Sequence, residues 1–252
     1  MTQDAQSDAM LGGRFRLLQS GRGYRAGMDA ALLAAACDAR PGERVLDLGC
    51  GPGAVMLAAA IRQPEARVTG IEADAEALAL ARANIGLNGL GDRVEALSGD
   101  VARPFSHLGL ARFDAALCNP PFFDDPGALR GPSPERTRAW MAVDGLAAWI
   151  GYLLQAVRDG GTITLIHRAD RLADLLALLA PKAGSIRIRP VQPRAGAQAS
   201  RVIVRAVRGG RAPLVLLPAL VLHPDGEGKH TPQAEAILRD AAPLVWGQVN
   251  RA

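Results

Sequence analysis

Cysteine is scarce and scattered: Cys37, Cys50 and Cys118 are odd in number, lie far apart and form no CxxC pair. That excludes a disulfide framework and offers no zinc-finger spacing, so a reducing cytoplasm is the expected location. Long apolar runs are missing as well. None approaches the roughly 20 residues of a membrane span, and the polar residues 1–8 lack the basic-then-apolar pattern of a secretory leader. A soluble, intracellular chain without a membrane partner is expected. Aromatics make up only 4% of the residues, so a core must come from the Ala, Leu and Val that dominate the 49% apolar share. His107, His167, His223 and His230 show no metal-ligand spacing, and no metal is expected.

Acid is missing from one long stretch. Residues 175–224 contain no Asp or Glu, yet hold Lys182, Arg187, Arg189, Arg194, Arg201, Arg205, Arg208 and Arg211. The net charge of +4 is therefore concentrated late in the chain, a bias compatible with a polyanionic partner.

At 252 residues the chain suits one α/β domain with small additions. After a frayed start, residues 14–19 read as a short strand and residues 29–37 as a helix with Asp29 as its N-cap. From residue 44 onward strands and helices alternate: strands at 44–48, 68–71, 94–97, 113–117 and 162–166, helices at 54–62, 74–84 and about 143–157. Such alternation predicts a parallel sheet. Leu146, Trp149, Ile150 and Leu153 form one apolar helical face, Leu172, Leu175, Leu176 and Leu179 another, and both read as core packing. Beyond Pro181 the pattern becomes two extended runs, 186–191 and 201–206, with no helix between them, which predicts an antiparallel hairpin. Residues 214–222 read as a further extended segment, and Thr231-Pro232 as the cap and first turn of a last helix. Residues 1–22 stand as an N-terminal extension to a single domain over 23–252.

Asp47-Leu48-Gly49-Cys50-Gly51-Pro52-Gly53 lies between a strand and a helix. Glycines let the backbone turn sharply and approach a ligand, and the following helix offers unpaired NH groups. Read as Gly49, Gly51 and Ala54, the run also satisfies the pattern of dinucleotide binders, so an NAD enzyme competes. Asp47 weighs against it, because a carboxylate leading into the turn repels a pyrophosphate and suits the ammonium of S-adenosylmethionine. Glu72, ending the next strand, can accept hydrogen bonds from ribose hydroxyls, a spacing that fits either cofactor. Asp100 is placed to accept from the adenine amino group, with Val101 as apolar contact.

Asn119-Pro120-Pro121-Phe122 follows the fourth of these strands directly. Two prolines stiffen the loop and remove two donors, leaving carbonyl oxygens without competing NH groups. The Asn119 side-chain oxygen and the Pro120 carbonyl can hold both hydrogens of an NH2 group, while Phe122 stacks on a base, worth about 1 to 3 kcal/mol.

With these residues assembled, the chain resembles class I methyltransferases of the amino-methylating Asn-Pro-Pro-Phe/Tyr group. More narrowly it is similar to the bacterial valine-tRNA adenine methyltransferase family, with Phe122-Phe123 standing where many relatives carry tyrosine. The similarity runs from about Gly23 to the C-terminal helix and includes Gly27-Met28-Asp29 and the Gly160-Gly161 turn. It implies a Rossmann-like α/β fold, a seven-stranded, mostly parallel sheet whose last strand is antiparallel. S-adenosylmethionine is the implied sole cofactor. Implied cofactor contacts are Gly27, Asp29, Asp47, Gly49, Gly51, Gly53, Glu72, Ala73, Asp100, Val101 and Asn119; implied catalytic positions are Asn119, Pro120, Pro121 and Phe122. The implied substrate is an adenine amine in tRNA, while related families act on guanine amines in ribosomal RNA or on a glutamine amide in release factors. Arg130, Arg136 and Arg138 after the motif add positive charge that favours RNA. A protein-modifying relative would usually bring a separate N-terminal helical domain, whereas only about 40 residues precede the first core strand here.

Overall fold

Short β-branched and leucine runs alternate with alanine- and leucine-rich helical stretches, and the folded chain converts this alternation into a layered sheet. The computed structural model describes residues 5–20, 27–121 and 145–247. The strands are β1 (Ala5–Met10), β2 (Phe15–Ser20), β3 (Arg44–Leu48), β4 (Arg67–Glu72), β5 (Val94–Ser98), β6 (Phe113–Cys118), β7 (Val157–Arg168), β8 (Ala183–Gln192), β9 (Arg201–Arg208), β10 (Val215–Leu216) and β11 (Leu220–Val221). The helices are α1 (Met28–Ala35), α2 (Ala54–Arg62), α3 (Ala75–Leu87), α4 (Gly145–Ala156), α5 (Leu172–Leu179) and α6 (Pro232–Arg239).

The main sheet runs β10-β8-β9-β7-β6-β3-β4-β5, with β11 also pairing β8. β3, β4, β5, β6 and β7 pair in parallel, and β9 is antiparallel to both β7 and β8. The expected seven strands are thus present with the antiparallel one seventh in chain order, and the short β10 and β11 extend them to nine. Helices cover both faces. One apolar cluster joins α1, α2, α3 and α6 to the sheet, and the other joins α4 and α5 to the opposite face. Helix α2 is buried from Ala54 through Ala60, which explains why its sequence is apolar on every side.

Two expectations are corrected. The chain start is not frayed from residue 5, because β1 pairs antiparallel with β2 from Ala5↔Ser20 to Met10↔Phe15. Asp29 is not an N-cap either. Gly27 occupies that position, and Asp29 sits in the first helical turn, bound to Arg201 at 3.0 Å. Asp74 caps α3 by accepting from the Ala77 amide at 2.8 Å, and Thr231 caps α6 by accepting from the Ala234 amide at 3.2 Å, ahead of Pro232.

The β1–β2 hairpin is docked by two asparagines one turn apart, Asn84 within α3 and Asn88 at its C-cap. Asn88 accepts from the Arg16 amide and donates to the Arg16 carbonyl, at 2.8 and 2.7 Å. Asn84, fully buried, accepts from the Leu18 amide at 2.7 Å and donates to the Leu18 carbonyl and to the Pro52 carbonyl, both at 2.9 Å. These side chains act as a surrogate neighbouring strand for β2. Replacing Asn84 with Ala strands three partly buried backbone groups and is expected to destabilise the fold by about 2 to 3 kcal/mol, read as a lower urea midpoint. A midpoint matching the wild type would show that solvent replaces these bonds.

Candidate functional site

Strand register determines which loops meet. Leu48 lies opposite Ile71 on one side and Cys118 on the other, and Glu72 lies opposite Ser98. The loops after β3, β4, β5 and β6 therefore leave the same sheet edge from adjacent strands about 4.8 Å apart. That edge gathers Gly49, Gly51, Glu72, Ala73, Asp100, Val101 and Asn119. Ligands of open α/β sheets bind outside such carboxyl ends.

Gly49, Gly51 and Gly53 have φ of +73°, +54° and +98°, the left-handed region in which other residues are strained. Gly53 precedes α2 as its cap position. A side chain at Gly51 would meet nothing within 4 Å among the described residues, so the backbone there can be closely approached. At Gly49 the opposite holds: a methyl group would stand 2.5 Å from Cη2 of Trp149.

The acids divide into holders and liners. Asp47 is 1% exposed, and its Oδ2 accepts from the Met56 amide at 2.9 Å, clamping the glycine loop to the first turn of α2. Its carboxylate lies sealed beneath the loop, where it serves this internal bond. Burial is the largest influence on its pKa, raising it to about 7, with the Met56 bond opposing and the Glu72 charge adding. Glu72 accepts from the Gly51 amide at 2.8 Å through Oε2, and from the Ala73 and Asp74 amides at 2.8 and 2.9 Å through Oε1. Burial raises its pKa while these amides lower it. Asp100 accepts from the Ala102 amide at 2.9 Å.

Two cavities adjoin these residues. A cleft of about 310 Å³ is lined by Ala73, Gly99, Asp100, Arg103, His107 and Tyr152, among others, within the size range of small-molecule sites. A narrower cavity of about 20 Å³ shares Ala73, Gly99 and Asp100 with it and is walled by Leu48, Gly49, Glu72, Val101 and Trp149. Trp149 and Tyr152 are the site residues that sequence reading missed. Trp149 was assigned to core packing, and its helical spacing gives no sign that one edge of the ring faces the glycine loop. Tyr152, packed edge-on against Phe105, has its pKa pushed up to about 12 by burial and by Asp100.

Asn119 and Pro121 are half-buried and Pro120 is buried, directly beyond Cys118. Gly27 is exposed at the start of α1. Phe122, Phe123, Gly23, Arg130, Arg136 and Arg138 lie outside the described residues. The late basic residues are largely engaged within the chain. Arg187 donates to the Trp246 and Gly247 carbonyls, Arg189 to the Pro218 and Val245 carbonyls, and Arg201, Arg205 and Arg208 pair with Asp29, Asp38 and Asp159. Among the described residues no group of three or more His, Cys, Asp or Glu could hold a metal ion, and no helix is long and apolar enough to cross a membrane.

This sheet order with one antiparallel strand and the acid-and-glycine edge define a class. The chain has the fold of class I S-adenosylmethionine-dependent methyltransferases, and residues 25–129 match the methyltransferase small domain family. It is 37% identical over 172 residues to the tRNA1(Val) (adenine(37)-N6)-methyltransferase of Porphyromonas gingivalis, a match covering 64% of this chain and 66% of that protein. The chain thus spans just under two thirds of that relative's length. A ribosomal protein uL3 glutamine methyltransferase of Bradyrhizobium diazoefficiens is 34% identical over 140 residues, covering 52% of this chain and 43% of the relative. Among solved structures, a predicted O-methyltransferase from Agrobacterium tumefaciens superposes with a TM-score of 0.73 at 28% identity, covering 88% of this chain and all of that one.

S-adenosylmethionine is the cofactor of this fold, and the residues fit it. Gly51 presents open backbone, and Glu72 and Asp100 present acceptors beside the cavities.

Because folding raises the pKa of Asp47, the neutral acid is the form the fold favours. Its contribution is complete below the ordinary value of 3.8 and is lost as pH rises to about 7, by up to about 1.4 kcal/mol per pH unit. Asp47→Asn keeps the acceptor for Met56 without the charge. The stability of this variant relative to wild type is expected to rise steadily from pH 4 to pH 7 in denaturant titrations. A difference independent of pH would show that Asp47 does not titrate in that window.

Proposed function

We propose that the protein transfers the methyl group of S-adenosylmethionine to the exocyclic amino group of adenine in tRNA, at the anticodon-loop adenine of valine tRNA. The observation that carries this reading is the in-register exit of β3 and β6, with Leu48 opposite Cys118, which sets Asn119-Pro120 beside the glycine loop. An adenine amine is a poor nucleophile because its lone pair is delocalised into the ring. Asn119 Oδ1 and the Pro120 carbonyl accept its two hydrogens and draw the nitrogen toward sp3 geometry, directing the lone pair at the methyl group. Bound S-adenosylmethionine supplies an electrophilic methyl on a sulfonium. Glu72 and Asp100 hold the adenosine half, and Asp47 keeps the loop that meets it in place, so the residues act by positioning.

Two further features support RNA. An exposed loop base can be splayed into a pocket at low unpairing cost. The similarity to the Porphyromonas enzyme is also somewhat longer than that to the uL3 glutamine methyltransferase. A second reading, amide methylation of a protein glutamine, rests on that latter relative and on the same carbonyl-rich loop, since an amide NH2 presents the same two hydrogens; guanine in ribosomal RNA presents them too.

Incubation with labelled S-adenosylmethionine and unmodified bacterial tRNA is expected to place label in N6-methyladenosine after nucleoside digestion. Label in guanine, or only in ribosomal protein or release factor, would reject the adenine assignment. Asn119→Ala is expected to lower turnover at least about a hundredfold while leaving S-adenosylhomocysteine affinity within about threefold, because its bonds form to the substrate. Parallel loss of both would place Asn119 in the cofactor site alone.

A further inference from the structure

Tyr152 lies on α4 and is 3% exposed. Its ring is fixed by edge-on packing against Phe105, with centroids 5.8 Å apart and planes at 85°. The hydroxyl is less enclosed than the ring. It has no hydrogen-bond partner among the described residues, yet it does not belong to the partnerless polar atoms that are sealed from solvent. Tyr152 lines the cleft of about 310 Å³, so the hydroxyl of an otherwise buried side chain opens on that cleft. Tyrosine hydroxyls in such surroundings usually find a partner, and here a ligand in the cleft can supply it.

The inner wall of the cleft sets this donor near an acceptor. Asp100 lines both the cleft and the narrow cavity beside Glu72, and one of its oxygens is anchored by the Ala102 amide at 2.9 Å. Ala73 and Gly99, shared by the two cavities, add no polar side chain, while Arg103 and His107 are exposed. Burial, and then the charge of Asp100, raise the pKa of Tyr152 to about 12, so its hydroxyl keeps the proton it needs to donate. The carboxylate and the hydroxyl are thus within electrostatic reach of each other.

A donor beside an acceptor is the complement of adenine. The exocyclic amine of that base has a ring-nitrogen acceptor next to it on either edge. Hypoxanthine carries a carbonyl in place of the amine, which would face the Asp100 carboxylate without a proton between them. We propose that Tyr152 is a specificity-determining residue for the cofactor: its hydroxyl donates to a ring nitrogen of the S-adenosylmethionine adenine while Asp100 accepts from the adjacent amine. The inference rests on S-adenosylmethionine as cofactor and is independent of which group accepts the methyl.

Calorimetry with S-adenosylhomocysteine and with its 1-deaza and 7-deaza adenine analogues, each lacking one ring acceptor, tests the pairing. Tyr152→Phe keeps the ring and its packing, and is expected to bind S-adenosylhomocysteine about tenfold more weakly, the loss of one hydrogen bond. With the analogue that lacks the contacted nitrogen, variant and wild type are expected to bind alike, because that bond is already gone; with the other analogue the tenfold gap remains. An unchanged Kd for S-adenosylhomocysteine in the folded variant, or a gap that remains with both analogues, overturns the proposal. A second measurement does not depend on that variant. The chain contains two tyrosines, so 13C labelling at Cζ gives two signals, and Tyr24→Phe identifies the one from Tyr152. This signal is expected to shift on saturation with S-adenosylhomocysteine, and one that stays in place overturns the proposal as well. Failure of the wild type to bind S-adenosylhomocysteine at all would overturn the cofactor assignment together with this inference, a result distinct from binding that leaves Tyr152 undisturbed.

Discussion

Parallel pairing of β3 with β4 and β6 is the constraint on which the site depends. A parallel ladder leaves little freedom in register once both faces of the sheet are buried, because a slip by one residue would turn every inward side chain outward. With Leu48 matched to Ile71 and to Cys118, the glycine loop, the Glu72 turn and Asn119-Pro120 have no choice but to meet. The site edge is assembled by backbone hydrogen bonds between neighbouring strands.

The acids around the glycine loop divide their work according to burial. Asp47 lies under the loop and ties it to α2, and Glu72 receives three backbone amides, one of them from Gly51. Both shape the loop before any ligand is considered. Asp100 lies in the next turn, half-buried, and lines both cavities. The same loop is held from outside by Asn84, through the Pro52 carbonyl, so it is secured on several sides.

Much of this was legible in the sequence, for identifiable reasons. Strand β3 and helix α2 have the boundaries expected from their residues, because a buried apolar run followed by three glycines has few alternatives. The antiparallel pair β8–β9 followed from two extended runs with no helix between them. Strand β1 was not legible, since Ala5–Met10 carries no apolar run and becomes a strand only beside β2. Asp29 misled because a cap position depends on backbone conformation, and the extended residue proved to be Gly27. The arginine-rich stretch resembled a surface for a polyanion, but guanidinium groups bound to carbonyls some 60 residues away leave no local signature. Trp149 reads as an ordinary member of an apolar stripe until the sheet edge brings Gly49 against it.

Asn84 touches two things at once, the middle of the N-terminal hairpin and the carbonyl of Pro52. A shared amide of this kind makes the two segments thermodynamically linked: whatever steadies one lowers the cost of ordering the other, and the effect is equal in both directions. One side chain thus holds the hairpin and the glycine loop together, and its loss would loosen both at once.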